Sequence, residues 1–122
     1  MHPALLEIAR LGLHALPRAS AGALRRYLET ARPRLDLPPG EEIELFAPGA
    51  RAVLARAFAD IHHWLGQVSG RVPFFADIAQ IAVPRPIPEL AAAAAALPLL
   101  RADAPGHLAD EAALAFLDRL AL

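Results

Sequence analysis

Twelve prolines in 122 residues punctuate this chain. Proline is tolerated in the first turn of a helix, where its missing N–H has no intrahelical partner to lose, but inside a helix it removes a hydrogen bond and clashes with the preceding turn. Each proline therefore marks an edge. The pieces between the edges are rich in Ala, Leu and Arg, all strong helix formers. The pattern predicts an all-α fold, an irregular bundle of about five to seven short helices bounded by prolines, in a single helical domain over residues 1–122. No heptad run survives the prolines for long enough to make an extended coiled coil.

Pro3 opens an Ala/Leu segment that runs to about Leu16, before Pro17. Ser20 is expected as the N-cap of a second helix, with Leu24, Tyr27, Leu28 and Ala31 at i, i+3, i+4 and i+7, ended near Arg32 by Pro33. Pro38-Pro39-Gly40 makes a loop, after which Glu42-Ile43-Glu44-Leu45 alternates as a strand would. Nothing else in the chain alternates well enough to pair with it, so the stretch from Glu41 to Phe46 is expected as a helical turn or an extended connector.

The clearest amphipathic pattern runs from about Pro48 to Val68. Leu54, Phe58, Ile61 and Leu65 fall in one arc, flanked by Val53, Ala57 and Val68, and are expected to face the core. Arg56, Asp60, His63 and Gln67 form a wet stripe, Trp64 sits at the edge of the apolar arc, and Gly70 is placed to act as a left-handed cap. Pro73 is expected to start another helix carrying Phe74, Phe75, Ile78, Ile81 and Ala82. The residue before a proline avoids helical angles, so Pro84-Arg85-Pro86-Ile87-Pro88 reads as an extended strut. Pro88 then opens a helix with Glu89 in its first turn and six alanines over residues 91–96. The last helix follows Pro105-Gly106, carries Leu114, Leu117 and Leu120, and has Asp110 suited to its first turn.

Composition narrows the functions open to such a chain. It has no Cys, Lys or Asn, and its only hydroxyls are Ser20, Ser69, Thr30 and Tyr27. Covalent catalysis needs an activated nucleophile, so these residues favour a module that is not an enzyme, and no cofactor is expected. Hydrophobic residues make up 56% of the chain, more apolar surface than a domain of this size hides comfortably by itself. That favours burial against another copy or a larger complex. The net charge of −1 supplies no bulk attraction to nucleic acid or acidic lipid. The first residues lack the basic region and long apolar stretch of a secretory signal. The apolar stretch from Ile87 to Leu100 is interrupted by Pro88, Glu89 and Pro98 and falls short of the ~20 residues a spanning helix needs. A soluble cytoplasmic protein is expected, with protein partners and no membrane span.

Three groups of residues are candidates for a site. The leading reading is a non-enzymatic interaction module, a small subunit or adaptor that self-associates or docks into a larger complex. Its partner surface is placed on Phe74, Phe75, Ile78 and Ile81 together with Ala93 and Ala94, because aromatic residues concentrate at interfaces and small residues admit close helix approach. A second reading is a nucleic-acid or anionic-ligand binder that uses Arg25, Arg26, Arg32 and Arg34, since guanidinium forks grip phosphates and carboxylates. The third is a metal-dependent enzyme centred on Asp60 and His63, with His62 beside them. A carboxylate and a histidine three residues apart share a helix face, yet the spacing matches no His-Glu-x-x-His pattern.

Overall fold

The structure, a computed structural model, describes residues 1–73 and 78–122. It is all-α. The described residues include the helices α1 (Pro3–Ala15), α2 (Arg18–Ala31), α3 (Ala50–Ser69), α4 (Glu89–Asp103) and α5 (Glu111–Arg119), with short 3-10 turns in the connections that follow α2. Two strands of two residues, β1 (Ile43–Glu44) and β2 (Ile87–Pro88), complete the elements. The chain divides into two compact units, one formed by Met1–Leu45 with Pro86–Leu122 and the other by Phe46–Arg85. No helix among the described residues is long and apolar enough to cross a membrane.

The larger unit holds α1, α2, α4 and α5, and its prolines lie at helix edges or in connections with one exception that corrects the expectation: Pro98 sits inside α4. Pro3 occupies the first turn of α1, and the buried His2 caps that helix, its Nδ1 accepting the Ala4 N–H at 3.2 Å. Burial, followed by the nearby Arg32 charge, holds the His2 imidazole below its ordinary pKa, which keeps the capping nitrogen unprotonated. The start of α2 differs from expectation. The helix begins directly after Pro17, whose fixed φ already suits a helix entrance, and Ser20 lies in its first turn rather than at its cap. The buried Ser20 hydroxyl instead donates to Asp110 Oδ2 at 3.1 Å. Asp110 is itself the N-cap of α5, its Oδ1 accepting the Ala113 N–H at 2.9 Å. One carboxylate thus satisfies an orphan donor of α5 and ties that helix to α2.

The alternating stretch after Pro39 contains the helical turn expected there but departs from expectation in finding a strand partner. Gly40–Glu42 is a 3-10 turn, and β1 pairs in parallel with β2, Ile43 opposite Ile87. The partner is the proline strut. Prolines on both sides of Ile87 hold it extended, and a strand needs only an extended backbone with a free N–H and carbonyl to pair, not an alternating sequence. The pairing buries Ile43.

The core of this unit is built around Leu5, Ile8, Leu24, Leu28, Leu100 and Leu117, all fully buried. The alanine run of α4 belongs to the same core: Ala92, Ala93 and Ala96 are buried with Leu97 and Leu100 along one face. Small side chains let α4 lie close to α1. Gly12 does the same for α1 and α2, because a Cβ there would come within 2.5 Å of the Leu24 side chain. At the far end, Arg101 donates to the carbonyls of Leu117, Asp118 and Leu120 at 2.9, 3.0 and 2.6 Å. A cation thereby closes the carbonyl-rich C-terminus of α5, the end its dipole favours.

The smaller unit is centred on α3. Gly49 and Gly70 bracket the helix in left-handed conformations, with φ of 81° and 68°, which side chains resist and glycine does not. Gly70 is the cap its position suggests. The helix expected from Pro73 is seen only in part. Ile78–Ala82 is a 3-10 turn packed on α3, and Phe74 and Phe75 lie outside the described residues.

Candidate functional site

The most regular apolar pattern of the sequence does not form the core. Leu54 and Leu65 on α3 are only half-buried, Phe58 and Ile61 are exposed, and Trp64 and Val68 expose 59% and 61% of their surface. The expectation that Leu54, Phe58, Ile61 and Leu65 face a packed interior is corrected by these exposures. The cause is local: among the described residues of this unit, α3 is covered by the short Ile78–Ala82 turn, and one turn cannot bury the full face of a 20-residue helix. At 100° per residue, Val53, Trp64, Ala57, Val68 and Ile61 fall within an arc of about 80°. All five are exposed. The arc is bordered on one side by the exposed polar stripe of Arg56, Asp60, His63 and Gln67, and on the other by Leu54, Leu65 and Phe58.

Beyond that apolar border lies a groove of about 510 Å³ with Phe46, Leu54, Phe58, Ile78 and Ile81 in its walls. Arg51 shapes its rim. Its guanidinium stands over the Phe46 ring at 4.9 Å from the centroid and donates to the Ile81 carbonyl at 3.4 Å, pinning the turn to the start of α3.

The expected partner residues are distributed differently from the sequence reading. Ile78 and Ile81 are half-buried in the turn of the smaller unit. Ala93 and Ala94 belong to α4 in the larger unit, where Ala93 is 0% exposed and part of the core while Ala94 is exposed. Ala93 therefore offers no surface to a partner.

The four arginines of the anion-binding reading do not converge. Arg25 pairs with Glu29 one turn on, Nε to Oε1 at 2.9 Å. Arg34 grips Asp103 with Nε and Nη2, each at 3.0 Å from a carboxylate oxygen, and donates Nη1 to the Thr30 carbonyl. Arg26 borders a groove of about 530 Å³ with Tyr27, Thr30 and His107, whereas Arg32 borders a different hollow beside His2 and Glu41. Of the metal-binding candidates, Asp60 and His63 lie on the polar stripe of α3. Among the described residues no three His, Asp or Glu side chains gather as a ligand set.

One polar cluster went unread in the sequence. Asp103, near the end of α4, accepts from the Tyr27 hydroxyl at 2.9 Å as well as from Arg34, and His107 Nδ1 lies 2.9 Å from its backbone carbonyl and 3.3 Å from Oδ1. Its signal is faint, because Tyr27 and Arg34 lie far from Asp103 in the chain and no local spacing links them. The Arg34 hydrogen bonds hold the Asp103 carboxyl below the usual carboxylate range against the opposing effect of burial, and the Tyr27 hydroxyl adds to them. Burial, then the bond to Asp103, pushes the Tyr27 phenol up, so that it stays a donor. Every group here is satisfied by another, which describes a clamp between α2 and α4 rather than a reactive centre.

The clamp makes stability depend on acid. A carboxyl whose folded pKa is depressed adds stability above its unfolded value, near 4, and loses that contribution as pH falls through the lower folded value. Urea denaturation is expected to show wild-type stability dropping as pH falls below about 5. Asp103→Asn should be less stable at neutral pH and show a shallower drop. Parallel pH slopes for the two proteins would refute the role of Asp103.

Compared with protein-family models, with curated proteins and with solved structures, the chain matches none of them.

Proposed function

We propose that this chain is a non-enzymatic helical interaction module, a small subunit or adaptor that works by burying apolar helix surface against another protein. The observation that carries this reading is the exposed face of α3, where Val53, Ile61, Trp64 and Val68 stand in solvent on one continuous stripe. Single exposed hydrophobic residues are ordinary on protein surfaces, but a contiguous apolar patch, here edged along one side by the polar stripe, is the mark of an interaction site. The stripe contains the chain's one Trp, the residue type most enriched where binding energy concentrates. The lack of thiol, lysine amine and activated hydroxyl is consistent with the same reading.

Light scattering across the micromolar range, combined with affinity capture from the native host, tests it. Expected is either a species larger than one chain or a captured partner, in both cases lost with Trp64→Asp. A monodisperse monomer that captures nothing would refute the proposal.

A further inference from the structure

We infer that His2 is an acid-sensitive latch, which in its neutral form pins the start of α1 to the Pro38-Pro39-Gly40 loop and on taking up a proton releases both. The ring is held from two sides. His2 is only 8% exposed, and each ring nitrogen has its own partner. Nδ1 accepts the Ala4 N–H at 3.2 Å, so it must carry a lone pair. The proton of the neutral ring then sits on Nε2, which donates to the Pro38 carbonyl. Nε2 also faces Gly40, and the Pro3 ring lies so close to this glycine that a Cβ there would come within 3.1 Å of Pro3 Cδ. Two consecutive residues of the N-terminal segment are thus seated on one loop. From that loop a single 3-10 turn, Gly40–Glu42, leads into β1 and its pairing with β2.

A proton on Nδ1 removes the acceptor and sets one N–H against another. It also places a positive charge in a buried site at the positive end of the α1 dipole. The neighbouring charges do not offset this. Arg32, just past the end of α2, and the α-amino group of Met1 both oppose the added charge; Glu41 favours it, and Glu29 lines the same hollow. Burial is the largest influence and Arg32 the next, and they hold the latched ring below its ordinary pKa. In the released segment the ring returns to its ordinary value of about 6.5. The latched form therefore has its full stability above that pH and loses it as pH falls, until the latched ring itself titrates and the balance levels off. Within that window the released fraction rises by up to about tenfold per pH unit.

Hydrogen exchange of the full chain followed by mass spectrometry, corrected for the intrinsic pH dependence of amide exchange, reads release at residues 2–8 and 36–45. Wild type is expected to lose protection there between about pH 7 and pH 5, while the peptides of α5 keep theirs. The loss should level off at the pH where the His2 ring titrates in NMR spectra. Asn at position 2 supplies an N-cap acceptor that takes up no proton in this range, so His2→Asn should hold constant protection throughout it. Protection in wild type that does not change with pH, or that changes equally in His2→Asn, overturns the latch. So does a parallel loss of protection in α5, which is unfolding of the whole unit. Where His2→Asn leaves the segment unprotected at every pH, the wild type decides alone: a levelling that coincides with the His2 titration supports the latch, and one that misses it overturns the latch.

Discussion

Replacing Ala93 by Glu is expected to abolish folding of the unit built from α1, α2, α4 and α5, whereas the same replacement at Ala94 leaves its thermal melt nearly unchanged. Ala93 is 0% exposed and belongs to the core cluster; Ala94, one step round the helix, is exposed. A carboxylate forced into that site loses its hydration and gains no partner, a penalty of several kcal/mol, and the longer side chain adds about 1–3 kcal/mol of overpacking. Whole domains are stable by only about 5–15 kcal/mol, so one such change suffices. At Ala94 the carboxylate stays in water, and Glu is nearly as good a helix former as Ala. Circular dichroism melts of the two variants check this directly. A cooperative, wild-type melt for Ala93→Glu would show that this side of α4 is open surface.

The contrast between these neighbours also shows what the sequence can and cannot convey. Proline and glycine act through the local backbone, so their effects are legible without tertiary structure: Pro3 and Pro17 start helices, Ile87 and Pro88 stay extended, and Gly70 caps α3. The all-α class follows from them. Which face is covered is a different kind of fact. The apolar arc of α3 is as regular as any core helix, yet burial depends on what the rest of the chain can bring to it, and among the described residues of its unit that is one 3-10 turn. The alanine run of α4 carries the opposite lesson, for its own residues give no amphipathic contrast and only the packing with α1 selects Ala92, Ala93 and Ala96 as interior. The β1 pairing and the Asp103 clamp went unread for a third reason. Both join residues tens of positions apart, Ile43 with Ile87 and Tyr27 with Asp103, and a single sequence holds no local trace of such pairs. The candidate site was legible as a helix and as a seam of apolar residues, but its exposure was not.

Truncating Leu28 to Ala should lower stability far more than truncating Ile61, although both residues lie on the apolar faces of their helices. Leu28 is fully buried in α2 and packs in the cluster that includes Leu24, Leu100 and Leu117. Losing the end of its side chain removes transfer free energy and leaves a cavity the leucine-rich surroundings fill only in part, for a cost of about 2–5 kcal/mol. For a unit of this size that corresponds to a fall in Tm of about 10 °C or more. Ile61 exposes 50% of its surface, so its truncation leaves no closed cavity within its own chain and costs less than about 1 kcal/mol there. Near-ultraviolet circular dichroism of the buried Tyr27 reports on the unit containing Leu28, and fluorescence of Trp64 reports on α3. Guanidinium titrations of dilute protein should shift the Tyr27 transition strongly in Leu28→Ala and the Trp64 transition only slightly in Ile61→Ala. The cost of Ile61→Ala should appear instead in the interaction proposed for this face, as weaker capture of a partner or weaker association than wild type. Equal losses for the two variants in the dilute regime would mean that the α3 face is core after all, and the placement of both core and interaction surface would have to be exchanged.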